Sequence, residues 1–113
     1  SYDAFLHAHE NEIFGLVVIE AMAAGLPVVG PHKGGVGEFL DEAVGQLSNG
    51  VAPAALAEAV EALFARDMGA LKLAARRRAE TRHSWDHTFE GLTRLYTQLL
   101  ARTPRRTPLR LSA

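Results

Sequence analysis

Two glutamates, Glu12 and Glu20, lie eight positions apart in the segment ENEIFGLVVIEAMAAGLPVVG. Every residue from Ile13 to Val29 except Glu20 is apolar or small. A glutamate is rarely buried without a partner, so Glu20 either reaches solvent or lines a cleft. In a cleft, its two carboxylate oxygens could accept hydrogen bonds from a vicinal diol. This chemistry suits a ligand with two neighbouring hydroxyl groups.

The hydrophobic pattern predicts a strand, a helix and a second strand around these glutamates. The first strand is predicted over 3–9, the helix over about 15–24 and the second strand over 26–30, with Gly25 placed to end the helix. Such a βαβ unit implies parallel strands. Ligands of parallel sheets bind at the carboxyl ends of the strands, beside helix N-termini. The first glutamate would lie in that loop and the second two turns along the helix.

The remaining sequence predicts a short helix near 36–41, a third strand over 44–47 and three further helices. Pro53 is typical of a first helical turn and Ser84 of an N-cap. The apolar stripe of the last helix, which includes Trp85 and Leu99, is predicted to be core.

The predicted fold class is therefore α/β, with a partial Rossmann-like parallel sheet of about three strands and flanking helices. We expect residues 1–101 to form one unit and residues 102–113 a basic, flexible tail.

Composition excludes several classes of protein. The chain has no cysteine, so disulfides and thiolate metal sites are excluded. His7 and His9 have no partner at metal-binding spacing, so no zinc site is predicted. Residues 66–113 carry eleven Lys or Arg side chains against four acidic ones. Such a basic run is more often a solvated face than a nucleic-acid site. We predict no nucleic-acid partner and leave open a peripheral contact of the basic tail with an anionic membrane.

Two groups of backbone N–H donors could bind an anion. The first follows Glu12, where the amides of the helix start have no intrahelical acceptor. The second is the glycine-rich loop after Lys33. A plain turn explains this loop equally well, and the sequence leaves both readings open. The residues concerned are Phe14, Gly15, Leu16 and Val17 in the first group, and Lys33, Gly34 and Gly35 in the second.

Taken in order, these motifs resemble those of a known enzyme family. Glu12-Ile-Phe-Gly-Leu, Glu20-Ala-Met-Ala and the following GLPVV resemble the E-x7-E region of the retaining, family-4-type glycosyltransferases. The sequence GGVGE, beginning at Gly34, is similar to their GG-x-x-E loop. The likeness extends from Asp3 to Leu100. It implies the back part of the nucleotide-binding lobe of the two-lobed GT-B fold.

The resemblance also implies roles for individual residues. Glu12 would be the catalytic-site glutamate that contacts hydroxyls of the transferred sugar, and Glu20 would bind the ribose of the nucleotide. The amides of Phe14, Gly15, Leu16 and Val17 would hold the sugar and approach the diphosphate, while Lys33, Gly34 and Gly35 could form a phosphate loop. The implied reaction transfers a sugar from a nucleotide-diphosphate sugar to an acceptor hydroxyl with retention, and requires no metal or other cofactor.

The same resemblance implies an N-terminal lobe as partner, a cytoplasmic location and no activity in this piece alone. We further expect a homodimer or swapped assembly, because apolar helix faces would be left uncovered. One alternative is a non-catalytic half-lobe module that binds a nucleotide or a partner. Another is a different GT-B enzyme, such as a sugar-nucleotide epimerase or a phosphorylase, which the EAMA and GLPVV motifs disfavour.

Overall fold

Three short parallel strands form the sheet of the computed structural model, which describes residues 2–102. The strands lie in the order β1-β2-β3, and Val28 of β2 is opposite both Phe5 of β1 and Gly45 of β3. Their bounds are Phe5–Leu6 for β1, Val28–Pro31 for β2 and Gly45–Ser48 for β3. The predicted α/β fold with a three-stranded parallel sheet is confirmed. The predicted tail lies outside the described residues except for residue 102.

Four α-helices and one 3-10 turn accompany the sheet, close to their predicted positions. Pro53 starts the second helix, and Ser84 caps the fourth, where its Oγ accepts a hydrogen bond from the His87 N–H at 3.2 Å. The bounds are Leu16–Ala23 for α1, Gly35–Glu38 for the 3-10 turn, Pro53–Phe64 for α2, Met68–Arg82 for α3 and Trp85–Arg102 for α4.

Helices cover both faces of the sheet, so consecutive residues of β2 point into two different cores. Val28 packs with the buried residues of α1 and α3, which include Met22 and Ala75. Val29 packs on the other side with Leu63 of α2. A parallel strand covered on both faces consists of consecutive apolar residues, which explains the Val-Val pair of β2.

Gly25 ends α1 and turns the chain into β2. Its φ of 77° lies in the left-handed region, where glycine carries no Cβ penalty. The N–H of Leu26 then donates to the Ala21 carbonyl at 3.0 Å, as in a glycine-terminated helix. The turn brings the chain directly to β2, so α1 and its glutamate are fixed against the sheet.

Two arginine side chains, Arg66 and Arg78, connect β3 and the loop before it to the helices through hydrogen bonds and an ion pair. Arg66 donates to the carbonyls of Glu42 and Gly45, and Arg78 forms an ion pair with Asp41 at 3.0 Å. Burial raises the pKa of Asp41, but the hydrogen bond and charge of Arg78 and the amide of Ala43 outweigh it. The net result is a pKa below the usual range of an aspartate.

The apolar stripe of α4 is not core, contrary to the sequence prediction. All its large apolar side chains are at least partly exposed, including Trp85, Phe89, Leu92 and Tyr96, and the helix has no buried residue. A helical period of apolar residues predicts a helix with an apolar face but does not identify what covers that face.

Within residues 2–102, no helix has the length and apolar character needed to cross a membrane.

Candidate functional site

Glu20 lies on the outer face of α1 and is exposed to solvent. The opposite face of the helix is buried, with Val18 and Met22 fully covered in the core between α1 and α3. Leu16 and Val17 share the outer face and are also exposed. The helix α1 is therefore apolar on both faces. One face packs in the core, and the other carries the exposed apolar side chains beside the Glu20 carboxylate.

Glu20 lines a cavity of about 690 Å³ between α1 and the junction of α3 with α4. This volume lies within the range of about 300–1,000 Å³ that is typical of small-molecule sites. Phe14, Leu16, Ile19 and Ala23 form the α1 side of the cavity, so Glu20 is the only charged side chain on that side. An apolar cleft with one oriented carboxylate can hold an apolar or planar ligand through its surface and fix it through hydroxyl groups.

The opposite wall of the cavity is formed by residues that the sequence prediction did not assign to a site. They are Arg82, His83, Trp85 and Thr88. Burial first, and then the positive charges of Arg78, Arg82 and His87, hold the pKa of His83 below its usual value. The ring of His83 packs edge-on against Phe39, with 5.2 Å between the ring centroids. One feature of the sequence could have pointed to this wall, namely the aromatic residue that directly follows the Ser84 cap.

The loop that carries Glu12 packs directly against the glycine-rich loop. The Gly35 N–H donates to the Glu12 carbonyl at 2.6 Å. A Cβ atom on Gly35 would lie 2.0 Å from the carbonyl oxygen of Ile13, which is far inside van der Waals contact. Lys33 adds an ion pair with Glu10, at 3.3 Å. Glycine at position 35 is therefore required because two backbone segments meet there.

This arrangement bears on the two predicted groups of N–H donors. The Gly35 amide is already bonded to the Glu12 carbonyl, and the Lys33 ammonium already has a carboxylate partner. Within the part of the chain that the structure describes, the amides of Leu16 and Val17 have no hydrogen-bond acceptor. The backbone amides of Lys33 and Gly34 also have no acceptor within residues 2–102, so both predicted groups keep unused donors. Both assignments stay predictions.

The structure brings some of the predicted residues together and separates others. Phe14, Leu16 and Glu20 line the same cavity, whereas Glu12, Gly15 and Val17 do not. Gly15 is buried at the N-cap of α1. Among residues 2–102, no three His, Asp or Glu side chains cluster in a way that could hold a metal ion. The cofactor-free mechanism stays a prediction.

Comparison with known proteins assigns the chain to a family. Residues 1–84 match the family described as glycosyl transferases group 1. The chain is a group 1 glycosyltransferase sequence. The predicted family resemblance is therefore confirmed.

The glycosyltransferase chain is also similar to individual curated proteins. It is 41% identical over 98 residues to a D-inositol 3-phosphate glycosyltransferase of Xylanimonas cellulosilytica, with 85% of this chain and 24% of that protein aligned. It is 42% identical over 88 residues to the protein of the same name from Geodermatophilus obscurus, with 77% of this chain and 19% of that protein aligned. The chain thus spans about a quarter or less of the length of these relatives.

A solved structure supports the fold of this glycosyltransferase chain. Sucrose-phosphate synthase from Thermosynechococcus elongatus superimposes with a TM-score of 0.73 at 31% sequence identity. The match covers 89% of this chain and 26% of that protein. The sheet and helices described above therefore correspond to part of a GT-B glycosyltransferase.

Proposed function

We propose that this chain carries the donor site of a retaining glycosyltransferase and binds a nucleotide-diphosphate sugar beside α1. The observation that carries the proposal is the exposed Glu20 carboxylate on the otherwise apolar α1 wall of a cavity of about 690 Å³. Its two oxygens can each accept a hydrogen bond from one of two neighbouring ribose hydroxyls. The family assignment supports this role, because group 1 enzymes transfer sugars.

The other predicted roles follow along the same helix. Glu12, in the loop before α1, would contact hydroxyls of the transferred sugar and orient it for reaction. When the bond between sugar and diphosphate breaks, negative charge grows on the departing phosphate. The unpaired amides of Leu16 and Val17, at the positive end of the helix dipole, can stabilise that charge. Retention of the anomeric configuration is part of this proposal.

We further propose that the 113 residues bind the donor but do not transfer sugar by themselves. The lysine nearest to the glycine-rich loop, Lys33, is paired with Glu10 and is thus poorly placed to neutralise a diphosphate. The curated relatives are also about four times as long as the matched segment. A half-lobe that binds a nucleotide without catalysis remains the alternative function.

Glu20→Ala tests the donor site directly. In an amide-shift titration with uridine, guanosine and adenosine diphosphates, we expect one nucleotide to shift the amides of Phe14 to Glu20. Loss of hydrogen bonds to a charged group is worth about 1.5–3 kcal/mol, so Glu20→Ala should weaken this binding roughly 10- to 100-fold. Glu61→Ala, on the exposed side of α2, is the matched control.

Two outcomes would count against the donor site. The first is the absence of any shift at millimolar nucleotide, and the second is equal affinity of Glu20→Ala and the unchanged chain. A chain that binds nucleotide through these amides but gains no activity when joined to the rest of a relative would support the non-catalytic alternative.

We propose that the exposed apolar residues of α4 beyond its first two turns, which include Leu92, Leu95 and Tyr96, pair with a second copy of the chain. The helix spans 18 residues and buries none of them, although it carries an apolar stripe over its whole length. Exposed apolar surface of this extent is uncommon in a monomer.

In gel filtration with light scattering, we expect the mass of a dimer at high concentration. Leu95→Glu should give a monomer, whereas Gln98→Glu, on the polar face, should not. A monomeric mass for the unchanged chain would contradict the proposal.

The cytoplasmic location and the membrane contact of the basic tail stay predictions. Residues 103–113, which hold most of the predicted tail, lie outside the described part of the chain.

A further inference from the structure

The wall of the Glu20 cavity that faces α1 contains the only tryptophan of the chain. Trp85 opens α4, and its ring stacks on Phe89 with 5.8 Å between centroids and 25° between planes. Stacking holds the indole in place, yet the residue is 76% exposed. A large aromatic side chain that is oriented by a neighbour but left uncovered is typical of a surface that binds another flat group.

The cavity combines features that suit one class of ligand. Glu20 offers hydroxyl acceptors on one wall, and Arg82 gives the other wall a positive charge. Within residues 2–102, the Arg82 side chain forms neither a hydrogen bond nor an ion pair, although its charge contributes to the lowered pKa of Asp41. Phe14 and Leu16 are also strongly exposed, at 73% and 65%, and form an apolar surface between these polar groups. A flat ring attached to a diol and a phosphate matches this distribution of chemistry.

We propose that Trp85 is a binding residue that contacts the nucleoside whose ribose binds Glu20. This inference rests on the proposed donor site and adds the first turn of α4 to it. The indole would cover the nucleoside from the side opposite α1, so bound ligand would bridge the two helices. Contact with an aromatic ring tolerates different bases, so Trp85 would add affinity without selecting among them.

The single tryptophan makes the contact measurable. Its indole N–H gives one side-chain signal in a ¹⁵N spectrum, separate from the backbone amides. In the titration of the 113-residue chain with uridine, guanosine and adenosine diphosphates, we expect this signal to shift with the same Kd as the α1 amides. Trp85→Ala should weaken binding about tenfold, as read from the α1 amides. Trp85→Phe, which keeps a smaller ring, should lose less.

Phe64→Ala provides the matched control, because Phe64 is a half-exposed aromatic residue of α2 that does not line the cavity. It should leave the Kd unchanged. Trp85 is largely exposed, so its variants should keep the fold, as checked by their amide spectra.

The outcomes separate this inference from the proposed function. If the α1 amides shift while the indole does not, and Trp85→Ala binds normally, the donor site stands and the role of Trp85 is refuted. If neither the amides nor the indole shift with any nucleotide, both proposals fail. Parallel shifts together with a selective loss in Trp85→Ala establish the contact.

Discussion

Gly35→Ala is expected to weaken nucleotide binding at the α1 amides by more than tenfold and to destabilise the chain. The new Cβ atom would lie 2.0 Å from the Ile13 carbonyl oxygen, and neither backbone segment can accommodate it without moving. The loop carrying Glu12 would be pushed away, and the hydrogen bond from the residue-35 N–H to the Glu12 carbonyl would break. Overpacking of this kind costs about 1–3 kcal/mol. The displaced helix start should also lower affinity by more than tenfold, because positioning of the ligand depends on it.

Thermal unfolding and the nucleotide titration measure the two effects. Gly91→Ala is the control, since a Cβ at this helical position meets no heavy atom within 4 Å. That variant should be more stable by about 0.5–1 kcal/mol, because alanine is a better helix former than glycine. If Gly35→Ala unfolded and bound like the unchanged chain, the close contact between the two loops would be disproved.

Met22→Ala is expected to lower the free energy of unfolding by about 2–5 kcal/mol. Met22 is fully buried in the core between α1 and α3, where truncation leaves a cavity that the neighbours fill only in part. A marginal domain of this size has only about 5–15 kcal/mol of total stability. The loss should therefore appear as a large fall in the urea midpoint.

Glu20→Ala is the matched control on the same helix. Its side chain is exposed and makes no hydrogen bond within the described residues. We expect its stability to change by about 0.5 kcal/mol or less. The two variants should thus show opposite profiles, with Met22→Ala affecting stability and Glu20→Ala affecting binding. Equal losses of stability in both would show that the two faces of α1 are not distinct.

The sequence was most informative where local pattern and packing agree. Gly25 after a helical run, followed by Pro27 and two valines, predicted the end of α1 and the start of β2. The position of Glu20 on that helix also followed from spacing alone. These features depend on backbone preferences and on residues close in the chain, which a single sequence records directly.

Features that depend on distant residues could not be predicted in the same way. The contact of Gly35 with the Glu12 loop joins segments that are 23 residues apart, and a glycine pair alone suits a plain turn as well. For the apolar stripe of α4, the sequence predicted burial that the structure does not show. Its period predicted a helix correctly, but Trp85 was assigned to the core because period does not reveal whether a partner surface is present.

The hydrogen bond between the Gly35 N–H and the Glu12 carbonyl also has a consequence for the order of folding. The chain between these residues contains α1 and β2, so we expect the bond to close only after both have formed. A helix with its glutamate can form early from local contacts, whereas the loop in front of it gains its final shape late. The two glutamates of the motif would therefore acquire their positions at different times, although they are only eight residues apart.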